Sequence, residues 1–161
     1  MPKLKPVSGF RRYAIPRAGI EGLEVGEVRT QVTLTNTGDQ ILVRRGLAQP
    51  SDVRRWEGSA LVDTGAIRLC MPQEVVDQLG FAVVDRLPVE YADGRLDHVG
   101  VAEPVSVRIQ GRETVETALV LGGEVIIGQV ILDLLDFFVD TINLRLIPNP
   151  EHPNWPLARI Y

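Results

Sequence analysis

Asp63-Thr64-Gly65 is the stretch whose residue types and spacing could do chemistry. Aspartate supplies a carboxylate, threonine a small hydroxyl, and glycine a backbone that tolerates a tight turn. The tripeptide follows Ala60-Leu61-Val62, an apolar run of the kind that forms a buried strand, so the carboxylate stands where a strand ends. One carboxylate on such a turn is half of an acid–base device. Two carboxylates held face to face cannot both ionise, so they share one proton. The ionised member draws a proton from a water held between them, and the protonated member donates to a substrate carbonyl oxygen as the water attacks. Neither a metal nor a covalent intermediate is required. Thr64 would hydrogen-bond across the pair, and Gly65 would let backbone approach backbone at the junction.

The bland alternative is that Asp63 merely starts a turn. By composition alone the tripeptide recurs in roughly a few per cent of chains of this length. Its setting sharpens it: a second apolar run, Val125-Ile126-Ile127-Gly128, lies downstream and is followed by a helical stretch. Asn36-Thr37-Gly38 has the same shape, but a carboxamide cannot titrate and the strand before it is half-polar, so it reads as a plain turn. Cys70 reads as a buried structural thiol, with no base nearby to make it a nucleophile. His98 reads as a solvent-facing strand residue. Trp155, in a proline-rich tail, covers either a neighbouring apolar patch or a second subunit.

Composition bounds the rest. The chain has 161 residues, 45% of them hydrophobic, which fits one domain with an ample core. Seventeen basic against 21 acidic residues give a net charge of −4, which repels phosphate backbones and argues against nucleic-acid partners. One cysteine and two histidines exclude an intrachain disulfide and a Cys-rich zinc site and argue against a multi-histidine metal site, so no cofactor is expected. No apolar run is long enough to cross a bilayer and no secretory signal is visible, so the expectation is a soluble cytoplasmic protein with no membrane partner.

Elements must hold the tripeptide in place, and the punctuation by 15 glycines and 11 prolines reads as many short strands. Residues 1–24 read as an arm, broken throughout by Pro and Gly and carrying Arg11, Arg12 and Arg17. From Gly26 the alternation of Val28, Thr30, Val32 and Leu34 predicts a strand, ended by turn residues at Asn36-Thr37-Gly38-Asp39. Ile41 to Val43 reads as a short second strand, and Arg44 to Gly58 as a polar connection. Pro72 to Gly80 reads as a helix, with Pro72 in the first helical position and Val75, Val76 and Leu79 inward. Leu87–Tyr91 and Leu96–Val101 read as a hairpin with a type I′ turn at Asp93-Gly94. Further strands fall at Val105–Ile109, Val115–Leu121 and Val125–Ile127. Gln129 to Asp136 predicts a second short helix with Val130, Ile131, Leu134 and Leu135 inward. Phe137–Val139 and Leu144–Ile147 form a last hairpin. The fold class is all-β with two short helices, a domain over 25–150 and a tail over 151–161.

Taken in order, Ala60-Leu61-Val62-Asp63-Thr64-Gly65-Ala66, the Pro72–Gly80 helix, Tyr91-Ala92-Asp93-Gly94 and Val125-Ile126-Ile127-Gly128 with its following helix carry a resemblance. Over residues 26–150 the chain resembles the retropepsin-like aspartic proteases, including small stand-alone bacterial relatives. The resemblance implies a closed β-barrel of one lobe, acting as a homodimer on peptide or protein substrates. It makes Asp63 the catalytic aspartate, with Thr64 and Gly65 as its supports. It makes the Tyr91-Ala92-Asp93-Gly94 turn a flap over bound peptide, and places Ala66, Ile126, Ile127 and Gly128 around the groove. The mechanism independently asks for two copies, since the chain holds one Asp-Thr-Gly and is too short for two lobes. The retroviral arginine after the downstream glycine is Gln129 here, so its ion pair does not carry over. The other reading is a peptide-binding or oligomerisation module on the same fold, with little or no turnover.

Overall fold

The computed structural model describes residues 26–160, so the arm expected over 1–24 lies outside the described residues. Eleven strands are present: β1 (Arg29–Asn36), β2 (Arg55–Val62), β3 (Cys70–Met71), β4 (Val83–Glu90), β5 (Leu96–Ala102), β6 (Val105–Ile109), β7 (Arg112–Glu116), β8 (Leu119–Val120), β9 (Ile126–Ile127), β10 (Phe137–Asp140) and β11 (Arg145–Pro148). Helices are α1 (Thr37–Arg44), α2 (Gln73–Gln78) and α3 (Gln129–Leu135), with a 3₁₀ turn at Pro50–Asp52. The fold is mostly β. Nine strands form one sheet in the order β4-β5-β8-β3-β9-β2-β1-β6-β7, and β10 and β11 pair separately. The order runs from one edge to another, so the ladder is open where a closed barrel was expected.

Alternation places the core. Val28, Val32 and Leu34 of β1 and its entry are buried, as are Ala60 and Val62 on the antiparallel β2. They join Ile109, Ile127, Ile131 and Leu135 in a single cluster that fills the fold. Burying each valine, leucine or isoleucine among them stabilises by about 1.5–3 kcal/mol. A second, smaller cluster of Cys70, Val99, Val101 and Leu119 lies elsewhere, with half-buried Leu87, Val89, Leu121 and Ile126 against it.

Three local expectations are corrected. The segment from Asn36 is not a turn followed by a strand but the start of α1. Asn36 Oδ1 accepts from the Asp39 backbone N–H at 3.0 Å, which caps the helix. Asp39 in turn takes three hydrogen bonds from Arg54, from its backbone N–H at 3.0 Å and from Nε and Nη2 at 2.9 Å each. Among the described residues there are therefore three α-helices where two were read. In α3, Leu132 faces inward while Leu134 is exposed, because the helix register turns about one position from the reading. Pro72 is the N-cap of α2, one position earlier than expected, and Gly80 closes that helix with φ +67°.

The hairpin turns also differ. At β4–β5 only Gly94 has positive φ, and the Gly94 N–H donates to Tyr91 O while the Tyr91 N–H donates to Arg95 O. That is a three-residue loop ending in a left-handed glycine, not type I′. The two-residue turn with positive φ at both positions is Gln110-Gly111, between β6 and β7. Asp-Gly is the stronger sequence signal for that turn, but the extra loop residue at Ala92 decides the geometry.

Candidate active site

Asp63 stands where β2 leaves the sheet. Its backbone N–H donates to Ile127 O of the parallel neighbour β9 at 3.1 Å, so the ladder holds the residue up to its last atom. The chain then turns: Ala66 N–H donates to Asp63 O at 3.1 Å, and Asp63 Oδ1 accepts from the Gly65 N–H at 2.8 Å. The carboxylate is thereby fixed by one oxygen, and Oδ2 has no hydrogen-bond partner among the described residues. Asp63 and Thr64 are half-buried and Gly65 is exposed.

The loop is seated from behind by α3. Gln129 and Val130, at the start of that helix, donate their backbone N–H groups to Ala66 O at 2.8 Å and Ile67 O at 3.0 Å. These donors are ones a helix cannot satisfy internally, so each fastening serves both elements. Gly128 makes the approach possible. A Cβ there would lie 2.6 Å from Arg68 O and 2.8 Å from Ala66 O, both backbone atoms that cannot swing aside. Arg68 Nη2 adds a hydrogen bond to Thr117 Oγ1 at 2.5 Å, tying the far end of the loop to the segment before β8.

The predicted groove residues separate into two groups. Ile126 is half-buried and packs with the second apolar cluster, together with Leu87 and Val89 of β4. Ile127, one position on, points the opposite way and is fully buried in the main core, away from the cluster that holds Ile126. Gly128 and Ala66 act through their backbones, as packing and fastening. Tyr91, Ala92, Asp93 and Gly94 form the β4–β5 tip, where the Arg95 guanidinium sits 4.5 Å from the Tyr91 ring centroid. Among the described residues the hydrogen bonds of this tip stay within the hairpin. It is the inner face of β4 and β5, not the tip, that shares a cluster with Ile126.

Cys70 lies close behind the loop on β3. Burial pushes its thiol up to about 11, with Arg68 opposing and the charge of Asp63 adding to the rise. It is free and buried, as a structural thiol was expected to be. His98 is exposed on β5. Trp155 is exposed on the surface of the chain. Among the described residues no group of three or more His, Cys, Asp or Glu side chains is arranged to hold a metal, and no helix is long and apolar enough to cross a membrane.

Sequence reasoning missed the two polar clasps. Asn36 three residues before Asp39 is a helix-start pattern that was available but was read as a turn. The second clasp had no local signal. Arg112 is buried and donates to Leu135 O at 2.9 Å, Asp136 O at 3.0 Å and His152 O at 2.6 Å. Asp136, left-handed at the end of α3, gathers Asn149, His152 and Leu157 onto its carboxylate. Residues 149–157 are thus fastened beneath α3.

The fold and this loop define a mostly β protein with one Asp-Thr-Gly turn braced by a glycine and a helix start. No family model matches the chain, and no curated protein matches it. Among solved structures it is similar to the solution structure of simian foamy virus (mac) protease, at TM-score 0.39 and 11% identity. That likeness covers 65% of this chain and 90% of the viral one.

Proposed function

We propose that the chain is a retropepsin-like aspartic endopeptidase that hydrolyses peptide bonds as a homodimer, with Asp63 from each subunit. The observation that carries this reading is the seating of the Asp63 loop. One carboxylate oxygen is fixed by Gly65, the other has no hydrogen-bond partner among the described residues, and the loop backbone is fastened by Gln129 and Val130 over Gly128. A plain surface turn has no need of a helix start and an obligatory glycine behind it. Preorganisation of this kind is what a water-activating pair needs, since both carboxylates must stay close while one proton is shared.

In this reading a water lies between the two Asp63 carboxylates. One carboxylate takes a proton from it, the other gives a proton to the substrate carbonyl oxygen, and the tetrahedral intermediate collapses with the proton delivered to the leaving nitrogen. Half-buried Ile126, Leu87 and Val89 offer an apolar wall for substrate side chains. The β4–β5 hairpin closes over them. Asp63→Asn removes the titrating group while keeping shape and the Gly65 hydrogen bond. Cleavage of a peptide library is expected to fall by at least about a thousandfold with the thermal unfolding midpoint retained. Cleavage at the parental rate would refute the assignment. Binding of the same peptides without turnover by a parental dimer would instead establish the peptide-binding module.

A further inference from the structure

A concavity lies far from Asp63, at the other end of β1, about 25 Å along an eight-residue strand. It has a volume of ≈ 440 Å³ and is walled by α1, the 3₁₀ turn, β2, β6 and β7. Two guanidiniums line it, Arg44 from the last turn of α1 and Arg55 from the start of β2. Neither has an ion pair or side-chain hydrogen bond among the described residues. Arg45 and Arg86 are likewise without such a partner among the described residues, whereas Arg29, Arg54, Arg108 and Arg145 are in ion pairs and Arg112 is spent on carbonyls; Arg44 and Arg55 are the two that line one concavity.

The floor is built from buried polar groups. Ser106 is 2% exposed and donates to Gln40 Oε1 at 2.6 Å, so the Thr37 hydroxyl donates to Ser106 Oγ at 2.9 Å. This chain of donors fixes the Gln40 amide with its oxygen inward. Its Nε2 group therefore turns outward, and it has no acceptor among the described residues. The one carboxylate on the wall, Glu113, is engaged by Arg108 at 3.2 Å. Val53 and Val115 supply an apolar side.

We propose that this groove is a binding site for an organic anion, a carboxylate carried on a short apolar body. Arg44, Arg55 and the Gln40 amide are donors around one opening, and each lacks the acceptor that such an anion brings. The apolar part lies against Val53 and Val115. The volume is at the lower end of the range for small-molecule sites, which fits an acylated amino acid or the last residues of a peptide. The proposal is independent of the Asp63 chemistry, because the two sites share no residue.

The test is an amide-shift titration of the full chain with N-acetyl-L-phenylalanine and, in parallel, with its uncharged carboxamide. Saturable shifts clustered at Gln40, Arg44, Val53, Arg55 and Val115 are expected with the anion only. Arg44→Gln and Arg55→Gln are each expected to weaken binding about tenfold, the effect of losing one charge-assisted hydrogen bond. Asp63→Asn should leave the titration unchanged. A second arm uses penta-alanyl-phenylalanine with a free or an amidated terminus. Tighter binding of the free-ended peptide than of the acetylated amino acid identifies a peptide terminus as the anion's source, and equal binding identifies a free acid. Shifts that do not saturate, equal binding of anion and carboxamide, or unchanged affinity in folded Arg44→Gln and Arg55→Gln variants would each overturn the proposal.

Discussion

Replacing Gly128 with alanine places a methyl group 2.6 Å from Arg68 O and 2.8 Å from both Ala66 O and Ile67 C. The backbone at Gly128 is extended, φ −89° and ψ 179°, so alanine suffers no conformational strain and the whole cost is steric. Overpacking against backbone costs about 1–3 kcal/mol. Moving α3 back to relieve the contact lengthens the Gln129 and Val130 hydrogen bonds to the loop, each contributing about 1 kcal/mol. Together the expected loss is about 2–4 kcal/mol, a large share of the roughly 5–15 kcal/mol that holds a domain folded. At this chain length it lowers the thermal midpoint by about 10 °C. Urea unfolding followed by circular dichroism reads the change as a lower midpoint at unchanged slope. Gly94→Ala is the control: nothing lies within 4 Å, and the cost is only the left-handed φ of +81°, about 1 kcal/mol. A Gly128→Ala protein within about 0.5 kcal/mol of its parent would refute the claim that this glycine seats the Asp63 loop.

Other outcomes follow from the polar groups. The Arg54 side chain holds the Asp39 carboxyl below its ordinary value, against the opposing effect of burial and with help from the Arg54 backbone N–H. A carboxyl lowered on folding contributes stability above its unfolded value near 3.9, and that contribution is lost as pH falls through the folded value. Asp39→Asn is therefore expected to cost about 1 kcal/mol at pH 7, modest because Arg54 is half-exposed, and less at an acid pH well below the unfolded value of about 3.9. An equal gap in urea midpoints at both pH values would contradict the pairing. The Cys70 thiol, at about 11, is roughly one part in a thousand thiolate at pH 8. A thiol reagent should label it at least a hundredfold more slowly than free cysteine until urea unfolds the chain, and rapid labelling of the folded protein would show that burial does not govern it.

Alternation made β1 readable, since Val28, Val32 and Leu34 all enter the core. The run into Asp63 and the downstream Ile126-Ile127-Gly128 were readable for the same reason, and they do pair as parallel neighbours. What the sequence hid depends on contacts between distant residues. Asn36 and Asp39 look like turn formers until Arg54, fifteen residues beyond Asp39, arrives to hold the carboxylate. Alternation also cannot say which face of Val125–Ile127 meets the core, so Ile127 was grouped with the groove although only Ile126 faces the second cluster. Arg112 stands in an ordinary alternating strand, and only the return of residues 149–157 gives its guanidinium carbonyls to bind. The open edges at β4 and β7 likewise follow from long-range pairing that no local pattern encodes.

The central claim is that two copies of the chain supply one Asp63 each to a single site. Mixing the parent with Asp63→Asn at constant total concentration tests it most directly, once subunits have exchanged. Random pairing leaves only about a quarter of the dimers with both carboxylates at an equal mixture, so cleavage should fall to about a quarter of the parental value. Cleavage at half the parental value, in simple proportion to the parent added, would mean that one Asp63 suffices and would contradict the account.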